Sequence, residues 1–431
     1  MSMSPSMTQP APIHPSQIRI ADYHYDLPEE RIAKFPLPER DQSKLLIFQN
    51  QQISEDIYHH IDSYIPAKSL MIFNQAKVIH ARLYFHKQTG GKIEIFCLEP
   101  DERYSDITTA MKQENTVYWK CLIRGAYKWK EPVIYGIVQE MRPDGSSCII
   151  HADAQKISQQ GNTFIIQFRW WGDSGAPISF SEFLECAGKI PIPPYLKREA
   201  TSTDEIRYQT IFAQREGSVA APTASLHFTD YILNRFKEKD IAMAQLTLHV
   251  GAGTFMPVKS SKMEGHEMHA EWIELSVQTL KKVKAQIARQ EKIVCIGTTS
   301  ARSLESAYWI GVQILRGEWT DEKLHPIAVT QWLPYQQENT ETASEAIQAV
   351  IDHLEQKQME QLITRTKLII APGYTFKILD GLVTNFHQPA STLLLMIAAL
   401  IGDSWKKVYQ YALDHDFRFL SYGDGSLLWK K

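Results

Sequence analysis

The pattern of hydrophobic residues changes once along the chain, and this change constrains the fold more than any other feature. From Lys77 to about Trp171, short runs typical of β-strands follow one another, separated by Gly, Asn, Asp and Ser turns. After Pro191, strands alternate with longer helical stretches, such as the predicted helix from Val277 to Gln290. The first pattern predicts a small β-barrel or sandwich, and the second predicts an α/β domain.

We therefore predict an α/β fold, with a large mixed α/β (barrel-like) domain and an inserted small all-β barrel domain. The large domain is expected to be discontinuous, at 21–76 and 173–431, and the insert is expected at 77–172. A chain of 431 residues is long enough for two such domains. Residues 1–20 are rich in Ser and Pro and are expected to form a disordered tail.

Composition and charge argue against several classes of protein. The longest purely apolar run, Leu393 to Ile401, is too short to cross a membrane, and the start of the chain lacks the features of a secretion signal. Five widely spaced cysteines argue against a zinc ribbon or a disulfide scaffold. A net charge of −3 means that any nucleic-acid contact needs a local basic surface. We expect a cytoplasmic protein without a membrane partner, either a monomer or a weak homodimer.

Two histidines lie in segments rich in small residues. His227 ends VAAPTASLH, where it could work as a titratable group near neutral pH, although such a histidine is also typical of a buried core. His249 precedes Gly251 in LTLHVGAGTFMPV, where alternation predicts a strand with His249 on the face opposite the leucines. The Gly-Ala-Gly sequence is only a weak match to a dinucleotide-binding loop, and a simple strand-to-loop turn explains it equally well.

The segment GHEMHAEWIEL could be mistaken for a metal site. Its histidines, His266 and His269, are three residues apart, whereas a helical zinc protease motif needs a spacing of four. If the segment is extended, His269 and Glu271 share one face. That arrangement suits an acid/base pair or a pair that grips a ligand, and we expect no metal.

Two predicted helices begin directly after loops with polar residues. KIVCIG leads into Gly297, Thr298, Thr299 and Ser300, and Ser300 is a plausible N-cap. TNFHQPAS precedes the apolar helix TLLLMIAALI, with Ser391 or Thr392 as its cap. Free N–H groups at a helix N-terminus can bind a carboxylate, a phosphate or a ribose oxygen, but ordinary helices start in the same way.

Taken together, these segments resemble one family, the S-adenosylmethionine:tRNA ribosyltransferase-isomerases of queuosine biosynthesis. The resemblance extends in order from about Asp22 to Leu428. It includes YDLPEERIAKFPLPERDQSKLL, VAAPTASLHFT, LHVGAGTFMPV, IGTTSARSLES, PGYTFKILDGLVTNFHQPASTLL and FRFLSYGDGSLL. Long collinear strings of this kind are far more specific than any short motif.

The resemblance implies a reaction between two substrates. The ribosyl part of S-adenosylmethionine, a co-substrate, is transferred to 7-aminomethyl-7-deazaguanine at the wobble position of a tRNA and isomerised to an epoxycyclopentane, with release of adenine and methionine. The candidate catalytic residues are His227, His249, His269, Glu271 and His387. The candidate substrate-binding residues are Gly251, Gly253, Thr254, Gly297, Thr298, Thr299, Ser300, Arg302, Asn385, Ser391 and Thr392. Arg302 is suited to a methionine carboxylate.

A basic and aromatic stretch in the β-module is a candidate surface for tRNA. Residues 115–130 combine cations with aromatic residues and contain no acidic residue. Cations bind phosphates and aromatic rings stack on exposed bases, although a barrel strand with core aromatics and solvated lysines would look the same. The cations are Lys120, Arg124, Lys128 and Lys130, and the aromatic residues are Tyr118, Trp119, Tyr127 and Trp129.

The chain also departs from the family pattern. Gln75, Lys77 and Ala390 stand where the family has other residues, and either region could weaken the binding of substrate or tRNA. Extra residues near 338–358 have no evident purpose. A divergent paralogue that binds RNA without catalysis is therefore the alternative, whereas a methyltransferase is disfavoured because no Gly-rich loop ends an early strand of a βαβ unit.

Overall fold

The structure is a computed structural model that describes residues 14–141, 147–173, 175–251, 258, 260–319, 327–336 and 340–431. The strands, numbered in chain order, are β1 (Lys44–Gln49), β2 (Gln52–Ile57), β3 (Leu70–Asn74), β4 (Ala76–Val78), β5 (Arg82–His86), β6 (Lys92–Pro100), β7 (Thr116–Arg124), β8 (Ile134–Met141), β9 (Ser147–Gln160), β10 (Thr163–Gly172), β11 (Arg215–Ser218), β12 (Ala242–His249), β13 (Glu271–Ser276), β14 (Ile293–Ile296), β15 (Ile327–Val329), β16 (Gln361–Thr366), β17 (Gly381–Asn385) and β18 (Gly425–Trp429).

Helices lie between many of these strands in the chain. The α-helices are α1 (Ile107–Met111), α2 (Phe180–Ala187), α3 (Ser202–Arg207), α4 (Asp230–Glu238), α5 (Val277–Ala288), α6 (Thr298–Leu315), α7 (Leu333–Gln336), α8 (Ala343–Gln356), α9 (Thr392–Ile401) and α10 (Ser404–Asp414). Short 3-10 helices include Ile20–Tyr23, Tyr58–Tyr64, Pro194–Leu196 and Thr223–His227. The predicted strand-helix alternation after Pro191 is confirmed.

A ten-stranded mixed sheet forms the larger part of the molecule, in the order β15-β16-β13-β12-β3-β14-β17-β18-β1-β2. Its central strands β12, β3, β14 and β17 are parallel neighbours, and antiparallel strands flank them. The predicted α/β class is confirmed. The order ends at β15 and β2, so closure of this sheet into a barrel is not seen among the described residues.

The strands between Arg82 and Gly172 form a closed six-stranded barrel, in the order β10-β7-β6-β5-β8-β9 with antiparallel pairing. Its interior is filled by large side chains, among them Trp119, Phe168 and Trp170. The predicted all-β barrel is therefore confirmed. The boundaries 21–76, 77–172 and 173–431 stay a prediction about independent units, and β4 pairs with β11 outside the barrel.

Helix α6 crosses the centre of the large core. Every residue from Ser300 to Val312 is buried, so this helix packs on all sides and has little freedom to shift. It starts directly after β14, at the carboxyl edge of the sheet. In the part of the chain that the structure describes, no helix has the length and apolar character needed to cross a lipid bilayer.

Candidate active site

Most of the predicted site residues meet at one edge of the large sheet. Gly251 follows β12, Gly297 follows β14 and Asn385 ends β17. The carboxyl ends of neighbouring parallel strands point to the same edge, and ligands of α/β proteins bind there. Two adjoining cavities, which we name A and B, open at this edge, and Thr298, Thr299, Ser391 and Leu393 line both of them.

Cavity A has a volume of about 230 Å³. One part of its lining is apolar, from Leu368 to Ile370 with Met396, and the other part is polar. The predicted site residues in this lining are His269, Glu271, Thr298, Thr299, Arg302, Ser391 and Thr392. Ligand sites typically have this mixture of apolar surface and a few polar groups.

A buried guanidinium lies in the wall of cavity A. Arg302 donates from Nη1 to Glu271 and from Nε to the Leu368 carbonyl at 3.1 Å. The side chains of Arg302 and Glu271 are only 8% and 7% exposed. Nη2 of Arg302 is buried and has no hydrogen-bond partner among the described residues. The arginine therefore keeps one charged donor available, and a buried donor without a partner is typical of a ligand site.

Glu271 is held from two sides. Besides Arg302, the Gly251 N–H donates to its Oε1 at 3.2 Å. The carboxylate is thus neutralised by a cation and oriented by the loop after β12, an arrangement that suits a positioning residue. His269 is exposed, whereas Glu271 is buried, so the histidine is the more accessible titratable group of this predicted pair.

Cavity B is smaller, with a volume of about 100 Å³. Small and apolar residues such as Ala221 and Pro222 form much of its lining. The predicted site residues there are Gly297, Thr298, Thr299, Asn385, His387 and Ser391. His387 shares a hydrogen bond of 2.9 Å between its Nε2 and the Thr384 hydroxyl. Burial lowers the pKa of His387 to about 3, so its ring is neutral at neutral pH.

His227 lies behind cavity B and reaches it through Asn385. Its Nε2 is 3.3 Å from the amide nitrogen of Asn385, and its ring stacks on Tyr58 with centroids 4.2 Å apart. Burial lowers the pKa of His227 to about 3, although a backbone hydrogen bond opposes this, and nearby arginines lower it further. The structure therefore places His227 in the core, as a neutral partner of Asn385.

Helix α6 begins earlier than the sequence suggested. The prediction of Ser300 as its N-cap is wrong, because Gly297 is the N-cap and the helix starts at Thr298. Gly297 has a φ of 86°, a conformation that costs a side chain strain but suits glycine. Ser300 is fully buried and donates to the Ile296 carbonyl at 2.7 Å. Ser391 does cap α9, as predicted, by accepting from the Leu394 N–H at 3.2 Å.

The remaining predicted residues of the large sheet lie away from the cavities or outside the described ranges. His249 is buried, and its Nε2 is 3.0 Å from Glu274. Gly253 and Thr254 lie outside the described residues. At the departures from the family pattern, Gln75 donates to the Thr247 hydroxyl at 3.2 Å and Lys77 pairs with Glu216 at 2.9 Å.

On the barrel, the predicted tRNA-binding residues have different environments. Lys120 pairs with Glu99 at 2.8 Å, while Arg124 is 85% exposed. Lys128 and Lys130 are also exposed. The expectation that all four aromatic residues could stack on bases is wrong for two of them, because Trp119 and Trp129 are buried in the barrel core. Tyr127, at 77% exposure, remains available.

Sequence reasoning missed several residues that line the cavities. Thr223 and Ser421 line cavity B, and Met268 lines cavity A. Thr223 and Ser421 lie inside the strings VAAPTASLHFT and FRFLSYGDGSLL, so their membership of those strings was the one available indication. Among the described residues, no group of three or more His, Cys, Asp or Glu side chains is placed to hold a metal ion.

Comparison with known families decides the relationship of the chain. The model of the family described as "Queuosine biosynthesis protein" matches residues 20–428. This chain belongs to that family. The family expected from the motifs is therefore confirmed.

Named members of the queuosine family are similar over nearly the whole chain. The S-adenosylmethionine:tRNA ribosyltransferase-isomerase of Halothermothrix orenii is 34% identical, over 95% of this chain and 100% of that protein. The protein of the same name from Magnetococcus marinus is 32% identical, over 95% of this chain and 94% of its own length. A crystal structure of S-adenosylmethionine tRNA ribosyltransferase from Thermotoga maritima covers 94% of this chain and 99% of its own, with 25% identity and a TM-score of 0.44.

Proposed function

We propose that this chain is an S-adenosylmethionine:tRNA ribosyltransferase-isomerase of queuosine biosynthesis. It transfers and isomerises the ribosyl moiety of S-adenosylmethionine onto 7-aminomethyl-7-deazaguanine at the tRNA wobble position, and it releases adenine and methionine. The observation that carries this proposal is the family match over residues 20–428. The cavities at the carboxyl edge of the sheet support it, because they adjoin and could hold two substrates side by side.

Cavity A is proposed to hold the methionine end of S-adenosylmethionine. Nη2 of Arg302, which has no hydrogen-bond partner among the described residues, is a buried charged donor and would pair with the substrate carboxylate. Glu271 would hold the guanidinium in place through Nη1. The N-terminus of α6, with Thr298 and Thr299, would then lie beside the ribose.

The chemistry needs proton acceptors near the ribose. A sulfonium acidifies the neighbouring ribose hydrogen, and a positioned base can remove it. His269 is an exposed titratable group in the lining of cavity A and is proposed for this role. The amine of the tRNA base must attack as a free amine, and neutral His387 in cavity B is proposed to accept a hydrogen bond from it.

The tRNA is proposed to contact the barrel through its exposed cations. Arg124, Lys128 and Lys130 are exposed, and Arg124 makes only a long ion pair of 3.7 Å with Glu94. Tyr127 offers an exposed ring. The cytoplasmic location and the monomeric or weakly dimeric state belong to the same proposal. The presence of the His- and Gly-bearing loops favours the enzyme over a non-catalytic paralogue.

Incubation of purified protein with S-adenosylmethionine and tRNA carrying 7-aminomethyl-7-deazaguanine tests the activity. We expect mass spectrometry of the digested nucleosides to show the added epoxycyclopentane, with free adenine in equal amount. Intact tRNA and no free adenine would overturn the proposal. S-adenosylhomocysteine as the product would indicate a methyltransferase instead.

A further inference from the structure

Cavity B has the size and lining of a site for part of a ligand. Its volume of about 100 Å³ lies below the ~300 Å³ at which sites for whole small molecules begin. Ala220, Ala221, Pro222 and Ala224 contribute small apolar surface, and Thr223 and Asn385 contribute polar groups. Such a lining fits a flat heteroaromatic ring with hydrogen-bonding groups along one edge.

The direction of the hydrogen bonds around Asn385 can be derived from its partners. The amide nitrogen lies 3.5 Å from the carbonyl oxygen of Asp424, which can only accept, so this side of the amide must be the donor. The same nitrogen lies 3.3 Å from Nε2 of His227, which must therefore accept, and the proton of the neutral ring is then on Nδ1. The amide oxygen Oδ1 therefore points toward Thr223, whose hydroxyl donates to it at 2.8 Å.

These directions leave an edge of acceptors in cavity B. Thr223 uses its single hydroxyl hydrogen on Asn385, so its oxygen can only accept from a ligand. Oδ1 of Asn385 keeps a second lone pair, and the amide is 3% exposed, so its orientation is held by protein contacts and not by solvent. A ligand that fits this edge must present neighbouring N–H donors.

We propose that cavity B is the subsite for a guanine-type base, which it recognises through Thr223 Oγ1 and Asn385 Oδ1. The Watson–Crick edge of such a base carries adjacent N1–H and N2–H donors, whereas the matching edge of adenine alternates a donor with an acceptor. This inference rests on the proposed function, in which the guanine-type base is the 7-deazaguanine of the tRNA. The adenosine end of S-adenosylmethionine is then excluded from cavity B.

The placement also brings the two substrates together. Cavity A would anchor one substrate through Arg302, and cavity B would hold the other against the same wall of Thr298, Thr299 and Ser391. A reaction that joins two molecules needs their reacting atoms in contact, and adjoining subsites with a common wall provide it.

The substitution Thr223→Val tests this subsite, since it removes the hydroxyl and keeps the shape of the side chain. We expect the KM for modified tRNA to rise by about 3–10-fold, the effect of one lost hydrogen bond, with the KM for S-adenosylmethionine unchanged. Thr223→Ser should restore the KM for tRNA. Thr279→Val is the matched control. It removes a buried hydroxyl on α5 that donates to the Gln245 carbonyl of β12, away from both cavities, and it should change neither KM.

Binding of free bases gives a readout that does not depend on turnover. In ligand-observed NMR, 7-deazaguanine should bind the wild-type protein, adenine should bind less, and Thr223→Val should weaken 7-deazaguanine alone. A rise in the KM for S-adenosylmethionine, or preferential binding of adenine, would assign cavity B to the cofactor base and overturn the proposal. If the wild type releases no adenine from S-adenosylmethionine with tRNA, the proposed function fails, and the NMR result still decides the subsite.

Discussion

Two buried arginine–carboxylate pairs in this protein differ in how completely their hydrogen bonds are made. Arg198 binds Asp204 with both arms, at 2.7 and 2.8 Å, and Tyr422 and Thr201 add further donors to the same carboxylate. Arg302 binds Glu271 with one arm, and its Nη2 has no partner among the described residues. Both pairs are well buried, so exposure does not explain the difference.

The difference between the two pairs indicates where a ligand is expected to bind. In the complete pair, every nitrogen of the Arg198 guanidinium has a hydrogen-bond partner, so the pair serves to hold the fold. The incomplete pair faces cavity A and leaves a buried charged donor, which costs about 1–3 kcal/mol while it stays unsatisfied. A substrate carboxylate would offset that cost on binding.

The largest expected effect comes from breaking the complete pair. Asp204→Ala leaves Arg198 as a buried charge without its partner and should lower the free energy of unfolding by about 3–5 kcal/mol. Urea denaturation measures this loss. Asp22→Ala breaks an exposed pair with Arg19 and should leave the free energy of unfolding almost unchanged, because solvent screens this pair. Equal losses in the two variants would contradict the distinction between buried and exposed pairs.

A substitution in the incomplete pair should affect substrate binding more than the stability of the fold. Arg302→Lys keeps the charge and removes the planar fork, so we expect the KM for S-adenosylmethionine to rise by roughly 10–100-fold, as for a lost hydrogen bond to a charged group. Steady-state kinetics at saturating tRNA give this value. An unchanged KM for S-adenosylmethionine would show that Nη2 does not bind the substrate.

A third buried contact, between His227 and Asn385, differs from the two arginine pairs because its contribution to stability should depend on pH. Burial lowers the pKa of His227 to about 3, so the unfolded chain binds the proton more readily. The contribution of neutral His227 to the free energy of unfolding is therefore complete above pH ~6.5, the pKa of histidine in the unfolded chain. It is lost as the pH falls toward 3, the pKa in the folded protein.

The expected slope from this histidine is about 1.4 kcal/mol of unfolding free energy per pH unit inside that window. His227→Phe keeps a ring against Tyr58 and removes the titrating group. The variant should show a shallower loss of stability than the wild type in urea titrations at several pH values. Identical slopes would mean that His227 titrates normally in the folded protein.

The smallest effect is expected at the wall that the two cavities share. The Ser391 hydroxyl accepts from the Leu394 N–H at the start of α9. Ser391→Ala should lower stability by about 1 kcal/mol, the usual effect of a lost N-cap, and thermal unfolding can detect it. Ser391→Asn keeps a capping side chain and should recover most of this loss.

Much of the fold followed from local patterns. Closely spaced β-runs from Lys77 to Trp171 predicted the barrel, and strand-helix alternation predicted the large sheet, because periodicity depends on neighbours in the chain. The cap at Ser391 was predicted for the same reason. The start of α6 was not predicted correctly. Its N-cap is Gly297, a residue without a capping side chain whose positive φ is seen only in the folded loop.

The sequence by itself determined the family, the fold class and the short set of residues that could form a site. Only the tertiary structure decided which of these residues are free to act. Glu271 is 31 positions from the arginine that it orients, and Asn385 is 158 positions from His227. Trp119 and Trp129 are excluded from stacking on RNA by burial in the barrel. Burial and hydrogen-bond partners come from distant parts of the chain, so no local pattern can specify them.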